Sequence, residues 1–293
     1  AISRNNLNKS DCELFTLRYL RANAQSLLLM YNLTFMVRYR TVNVRFGSQF
    51  LDCIKVVPMN HIDLGGTARS PEDVTSLYDL GLQFAEIPIN HPSKFAPLVH
   101  LYKGLQTSLG LYYLCHGPKE GDPNDVEALK QVYLPKVLEL FPIMQSLSMQ
   151  VLTIHLWLDR RFVRKESLVS KREILKSIVD KADEYQVTVC IENLSEEATD
   201  LEPVFREIPS LMMTLDLGHG ELLCEKNRSL GFIERHPDRI KHVHIHDNRG
   251  GSSHTDDLHL PPGEGVIDFK ALFAALRRIH YNRTVTLELK PHE

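Results

Sequence analysis

The chain has 293 residues, 43% of them apolar and 24% charged, with 15 glycines and 15 prolines. That composition excludes a disordered, collagen-like or coiled-coil chain, and the length suits one large α/β barrel or two medium domains. The formal net charge of −3 is unevenly spread: residues 1–50 hold seven Lys or Arg and two Asp or Glu, leaving 27 basic and 35 acidic residues on the other 243. An acidic body gets no general electrostatic help in holding a phosphate backbone, although a local basic patch could still do so.

The first fifty residues stand apart. No acidic residue occurs between Glu13 and Asp52, whereas Arg18, Arg21, Arg38, Arg40 and Arg45 do. The most apolar stretch, AQSLLLMYNLTFMV at 24–37, is shorter than the roughly 18–20 residues of a membrane span, and Gln25, Ser26, Asn32 and Thr34 interrupt it. An acid-poor, Arg-bearing leader can be a targeting segment. The preferred reading is an N-terminal extension at 1–50, helical or poorly structured, lying outside a catalytic domain at 51–293. The five cysteines are widely spaced and lack CxxC pairs. They form no disulfide framework, so a cytoplasmic location is expected.

From about Leu51 short apolar runs alternate with polar turns and helical segments. The first run is CIKVVPMNHI at 53–62, followed by a helix opening at Ser70, with Pro71 at its first position and Asp73 where a capping-box acid belongs. The second run is FAEIPI at 84–89. The third, SLGLYYLCH, ends at His116; an acidic loop, GPKEGDPND, and a helix from Val126 towards Gln145 come next. After the fourth run, MQVLTIHL, an amphipathic helix covers Glu166 to Tyr185, with apolar residues at three- and four-residue intervals. The remaining runs are VTVCIENL, LMMTLDLG, IKHVHIHD and TVTLELK, with short helices expected at Pro203–Ile208 and Phe269–Ile279. Eight strand-like runs alternating with helices predict a closed (β/α)8 TIM barrel. The alternative, a doubly wound open sheet, would usually carry a Gly-rich nucleotide turn after strand one; HIDLGGTARS is not GxGxxG.

Barrel enzymes carry their reacting groups at the C-terminal ends of the strands. Six of the eight runs end in a residue able to bind a metal: His116, His155, Glu192, Asp216, His244 and Glu288. Any one alone is a weak signal, but six converge on one mouth. Imidazoles mixed with carboxylates suit Zn²⁺ or Mn²⁺, whereas Ca²⁺ would favour oxygen alone. Burying Glu192, Asp216 and Glu288 together requires a compensating cation. A salt-bridge network would need Lys or Arg at neighbouring strand ends, and Lys290 is nearly the only candidate. In LDLGHG, Asp216 and His219 lie across one turn and can both face the mouth. In KHVHIHDN, His242, His244 and His246 share one face of a strand, and His244 is the expected metal ligand among them. Asp257 and His259 flank one residue before a Pro/Gly turn.

Together, CIENL, LDLGHG, HVHIHDN, DLHLPPGEGVIDF and the terminal LEL resemble the xylose-isomerase-like TIM-barrel superfamily. That group includes sugar-phosphate isomerases and epimerases and the endonuclease IV type of apurinic DNA-repair enzyme. The resemblance covers residues 54–290 and implies a shared metal centre of Glu192, Asp216, His244 and Glu288. In the epimerase branch the two glutamates also act as acid and base on opposite faces of the sugar. The endonuclease branch implies further metals, one with His116 and His155 and one with His219, Asp257 and His259. The sequence departs from that branch at His246, where it has Asn, and in the acidic loop after His116.

Two enzyme classes follow. The first is a divalent-metal isomerase or epimerase of a small sugar or sugar phosphate: one metal stabilises an enediolate, one glutamate removes a carbon-bound proton and the other returns it. His219 would hydrogen-bond the substrate, and Arg249 would hold a phosphate or outer hydroxyl unless it is simply a solvated loop charge. The second is a zinc phosphodiesterase acting on abasic DNA with up to three metals. That class needs a basic, aromatic rim; the acidic barrel and the single tryptophan, Trp157, argue against it. The cluster Arg160, Arg161, Arg164 and Lys165 would either serve it or form the polar start of the long helix. A barrel that binds metal without catalysis has no support, because acid, base and ligands are all present. No membrane association is expected, and a homo-oligomer stays open.

Overall fold

The structure is a computed structural model and describes residues 62–290. Its strands are β1 (Asp63–Thr67), β2 (Phe84–Pro88), β3 (Tyr112–His116), β4 (Val151–Ile154), β5 (Thr188–Glu192), β6 (Met212–Asp216), β7 (Ile240–Ile245) and β8 (Thr284–Leu287). They pair in parallel in chain order, and β8 returns to β1 through Asp63↔Thr284 to Gly66↔Leu287. This is the expected closed (β/α)8 TIM barrel.

The first strand lies further along the chain than expected. The run at 53–61 falls outside the described residues, and β1 is DLGGT, within the stretch read as a turn. Its glycines hide it from an apolar pattern, and packing demands them. A Cβ on Gly65 would lie 2.4 Å from the Phe84 ring, and one on Gly66 2.7 Å from Leu77. The remaining seven strands fall inside their expected runs.

Local chemistry explains the helices. Ser70 and Asp73 close a reciprocal capping box on the helix Pro71–Asp79. The single helix expected from Val126 is instead broken: a π-helical turn at Leu129–Tyr133 leads into Leu134–Leu138 and then Leu140–Ser146. Pro135 and Pro142 each sit in the first turn of a new segment, where a missing N–H costs nothing. The long helix is Lys165–Glu184, burying Ile174, Leu175, Ile178, Val179 and Ala182. The helix expected from Pro203 begins earlier, at Ala198, and the last runs Phe269–Arg278.

Side chains alternate across the sheet, so each strand feeds two cores. The outward set packs under the helices as one large cluster, while Phe84, Leu114, Val151 and Cys190 fill the barrel floor with Tyr112 and Met212. Above that floor the even-numbered strands supply a polar layer, Glu86, Thr153, Thr214 and Thr286, each at most 1% exposed. The Thr153 and Thr214 hydroxyls are 2.8 Å apart. Among the described residues no helix is long and apolar enough to cross a membrane.

Candidate functional site

Directly above the polar layer, β5, β6, β7 and β8 bring together Glu192, Asp216, His244 and Glu288, whose nearest ligand atoms all lie within 4.8 Å of one another. His244 Nδ1 is 3.3 Å from a Glu192 oxygen, 3.1 Å from Glu288 Oε2 and 3.7 Å from Asp216 Oδ2. Glu192, Asp216 and His244 are fully buried, and Glu288 nearly so. Asp216 is held at both backbone atoms by Asn193: its N–H donates to Asn193 Oδ1 at 2.8 Å, and its carbonyl accepts from Asn193 Nδ2 at 2.9 Å. The His219 N–H donates to Asp216 Oδ1 at 2.7 Å. Asp216 is thus anchored by the neighbouring strand and by its own turn before any ligand arrives.

The other expected residues surround this centre. Glu192 Oε2 faces His155 Nε2 at 2.9 Å and His116 Nε2 at 3.2 Å. On the opposite flank, His219 Nδ1 is 3.2 Å from Glu192 Oε1, and its Nε2 is 3.6 Å from Asp257 Oδ2. His259 Nε2 lies 2.8 Å from that same Asp257 oxygen, and His246 Nε2 lies 3.0 Å from Asp216 Oδ1. Two of these sets are further groups with metal-ligating geometry: His116, Glu192 and His244; and His219, His246, Asp257 and His259.

Of the three histidines on and just after β7, only His244 is the expected ligand, and the geometry gives each of the others a group of its own. His246 joins His219, Asp257 and His259, while His242 joins Glu86 and His244. Sequence reasoning passed over Glu86 and Asn193. The available signal for Glu86 was its place as the lone charged residue in the apolar run FAEIPI.

Do these residues fit a divalent cation? Burial alone would neutralise the carboxyls, but the neighbouring imidazoles outweigh it and hold Glu192, Asp216, Asp257 and Glu288 below the usual carboxylate range. Reciprocally, burial opposes charging of His116, yet the Glu192 carboxylate lifts it to about 9, and His219, His244 and His259 are raised by the same kind of contact. The site therefore calls for positive charge. Glu288 Oε2 and His246 Nδ1 are buried without a hydrogen-bond partner. Orphaned acceptors within a mixed N/O donor set fit Zn²⁺ or Mn²⁺.

Most of the basic residues singled out above are otherwise engaged. Arg160 pairs with Asp200 at 2.8 Å, Arg161 with Asp159 at 2.6 Å, and Arg164 bonds to Asn124. Lys165 opens the long helix, as the structural reading of that cluster expected. Lys290 donates to the Asp257 carbonyl and so does not neutralise Glu288. Arg249 stands exposed in the loop after β7. Trp157 is half-buried, its Nε1–H donating to Ser195 Oγ at 2.8 Å and its ring stacked on Phe162.

A family model described as xylose isomerase-like TIM barrel matches residues 75–293. Among curated proteins, two uncharacterized proteins of Methanocaldococcus jannaschii are similar. One is 30% identical over 43% of this chain and 44% of its own length, the other 24% identical over 56% and 64%. The chain therefore spans less than two thirds of these relatives. Among solved structures, a D-tagatose 3-epimerase-like protein superposes with TM-score 0.67 at 20% identity, covering 78% of this chain and 91% of the other. A D-allulose 3-epimerase from Methylomonas sp. in complex with D-allulose gives 0.63 at 19%, covering 77% and 83%. An IolI protein with a bound zinc atom gives 0.65 at 15%, covering 76% and 87%. At these identities the structural likeness is one of fold.

Proposed function

The chain belongs to the xylose isomerase-like TIM barrel family, and from that premise we propose that it is a divalent-metal-dependent isomerase or epimerase of a small sugar or sugar phosphate. The carrying observation is that Glu192 and Glu288 bring carboxylates from non-adjacent strands to within 3.3 and 3.1 Å of one His244 nitrogen. Glu192, Asp216, His244 and Glu288 would hold the cation, Zn²⁺ or Mn²⁺. When bound, it supplies Lewis acidity to the oxygens of a ketose carbonyl and its neighbouring hydroxyl.

The chain's own groups do the rest. One glutamate removes the proton from the carbon beside the carbonyl, and the other returns a proton to carbon. His219, 7% exposed and hydrogen-bonded to the Asn193 carbonyl region, orients a substrate hydroxyl or carbonyl. Arg249, exposed in the loop after β7, would hold a phosphate or an outer hydroxyl. Cys115, Cys190 and Cys224 are free thiols, in keeping with a cytoplasmic enzyme. D-allulose and D-tagatose, named for structures of the same fold, indicate the size of substrate to try first.

One observation favours a second reading. The two flanking groups, around His116 and around His219, give this mouth the means to hold more than one cation, as a zinc phosphodiesterase acting on abasic DNA requires. Against it, Arg160 and Arg161 of the basic cluster beside the mouth are paired with Asp200 and Asp159 and so offer less to a phosphate backbone. Elemental analysis of the purified protein separates the two. One metal per chain is expected for the isomerase, and three per chain would favour the phosphodiesterase.

A further inference from the structure

The polar layer beneath the site contains one residue that packing alone does not explain. Glu86 is 1% exposed, inside a barrel where a threonine or an aliphatic residue would fill the same layer. Burying a carboxylate costs several kcal/mol unless it is well compensated, and a hydrophobic isostere is often the more stable choice. Its compensation here is one-sided. Glu86 Oε2 lies 2.9 Å from His244 Nε2 and 3.2 Å from His242 Nε2, while Oε1 is buried without a hydrogen-bond partner.

A carboxylate can only accept, so at 2.9 Å the Nε2 of His244 must carry the proton. A neutral imidazole has one donor nitrogen and one acceptor nitrogen. With one proton fixed on Nε2 by Glu86, the proton that an arriving cation displaces is the one on Nδ1, the atom that faces Glu192, Asp216 and Glu288. We infer that Glu86 is a positioning residue for His244: by accepting the Nε2–H it sets the tautomer and ring orientation in which Nδ1 is free to bind a divalent cation. This rests on the metal-dependent reading given above. The partner on the far side is itself braced, since His242 Nδ1 lies 2.7 Å from the Thr284 hydroxyl and its Nε2 lies 3.0 Å from that of Thr286. Glu86 is therefore held between a fixed imidazole on β7 and the one it orients.

The test uses full-length protein and zinc alone, with a chromophoric chelator as competitor. Glu86→Gln keeps the volume and removes the charge, and it is expected to bind zinc about 10–100-fold more weakly than wild type, the usual effect of removing an outer partner of a ligating histidine. Thr153→Val alters the same layer without touching a ligand and is expected to keep wild-type zinc affinity. Independently of any variant, ¹⁵N NMR of the zinc-loaded wild type should show the His244 proton on Nε2. Zinc affinity of Glu86→Gln equal to wild type would overturn the inference, as would a proton on Nδ1, which also decides the matter if the variant does not fold. A wild-type protein that binds no zinc or manganese would instead sink the metal-dependent reading itself.

Discussion

At the scale of single residues, Glu192 and Glu288 carry the largest consequences. Each is asked both to hold a cation and to move a proton, so Glu192→Gln and Glu288→Gln should each abolish measurable turnover while retaining some metal. General acid–base groups contribute about 10²–10⁴-fold in rate, and loss of charge beside the cation adds to that. Steady-state kinetics on an identified substrate, paired with metal analysis of each variant, checks this; near wild-type turnover in either would refute the two-glutamate mechanism. The convergence of Glu192, Asp216, His244 and Glu288 was legible in the sequence because barrel topology brings strand ends together, so a list of terminal His, Asp and Glu is already a spatial list. Glu86 was not legible for the complementary reason. It sits one layer down, mid-strand, and only the register of β2 against β7 across the barrel brings it to His244 Nε2. His246 was set aside as a ligand because a rule of one per strand ignores that β7 ends at Ile245. The ring packs over Gly218, where a Cβ would lie 2.1 Å away, and reaches the neighbouring group.

At the scale of elements, the loops after β3, β4 and β5 are tied together beside the mouth. Glu120, from the acidic loop after β3, accepts from the Trp157 N–H at 2.9 Å and from Lys171 Nζ at 2.9 Å; Lys171, on the long helix, also donates to the Trp157 carbonyl at 2.7 Å. The Lys171 side chain is fully buried and that of Glu120 nearly so. Removing one partner of a buried pair leaves the other charge uncompensated, so Lys171→Met should destabilise the barrel by about 3–5 kcal/mol, read as a shift in denaturant midpoint. A shift within experimental error would mean that Glu120 finds water or another partner. Glu196 closes the second tie, accepting from the N–H groups of Leu158, Leu194 and Ser195. Burial nevertheless pushes its carboxyl up to about 7 from 4.5. A folded pKa above the unfolded one means the folded state keeps the proton longer, so the associated stability is full below pH 4.5 and is lost as the pH rises towards 7. The Tm of wild type relative to Glu196→Gln should therefore fall across that window; a gap independent of pH would contradict it. From sequence the acidic loop reads only as unsuited to DNA, because its partner Lys171 looks like any solvated lysine on the amphipathic helix. The misplacement of β1 has the same kind of origin: its glycines are explained by Phe84 and Leu77, residues on other elements.

At the scale of the whole molecule, the barrel closes between Asp63 and Leu287, and every candidate ligand lies between Glu86 and Glu288. A chain beginning at residue 51 should therefore fold, remain soluble and retain metal, as circular dichroism and elemental analysis would show; an insoluble or metal-free product would make residues 1–50 part of the catalytic unit. The closed sheet also dictates the chemistry that can be tested most directly, because it sets Glu192 and Glu288 around one nitrogen of His244. Incubated in D₂O with its divalent metal and a panel of ketoses and ketose phosphates, the protein should exchange deuterium into the carbon beside the carbonyl, and chelation should abolish that exchange. An enzyme whose chemistry is at phosphorus has no reason to touch carbon-bound hydrogen, so an abasic-site duplex at low salt, where weak DNA binding is most favoured, is the matched comparison. Metal-dependent deuterium incorporation without strand cleavage is the predicted result. Cleavage of the duplex by metal-loaded protein, with no deuterium entering any sugar of the panel, would contradict it.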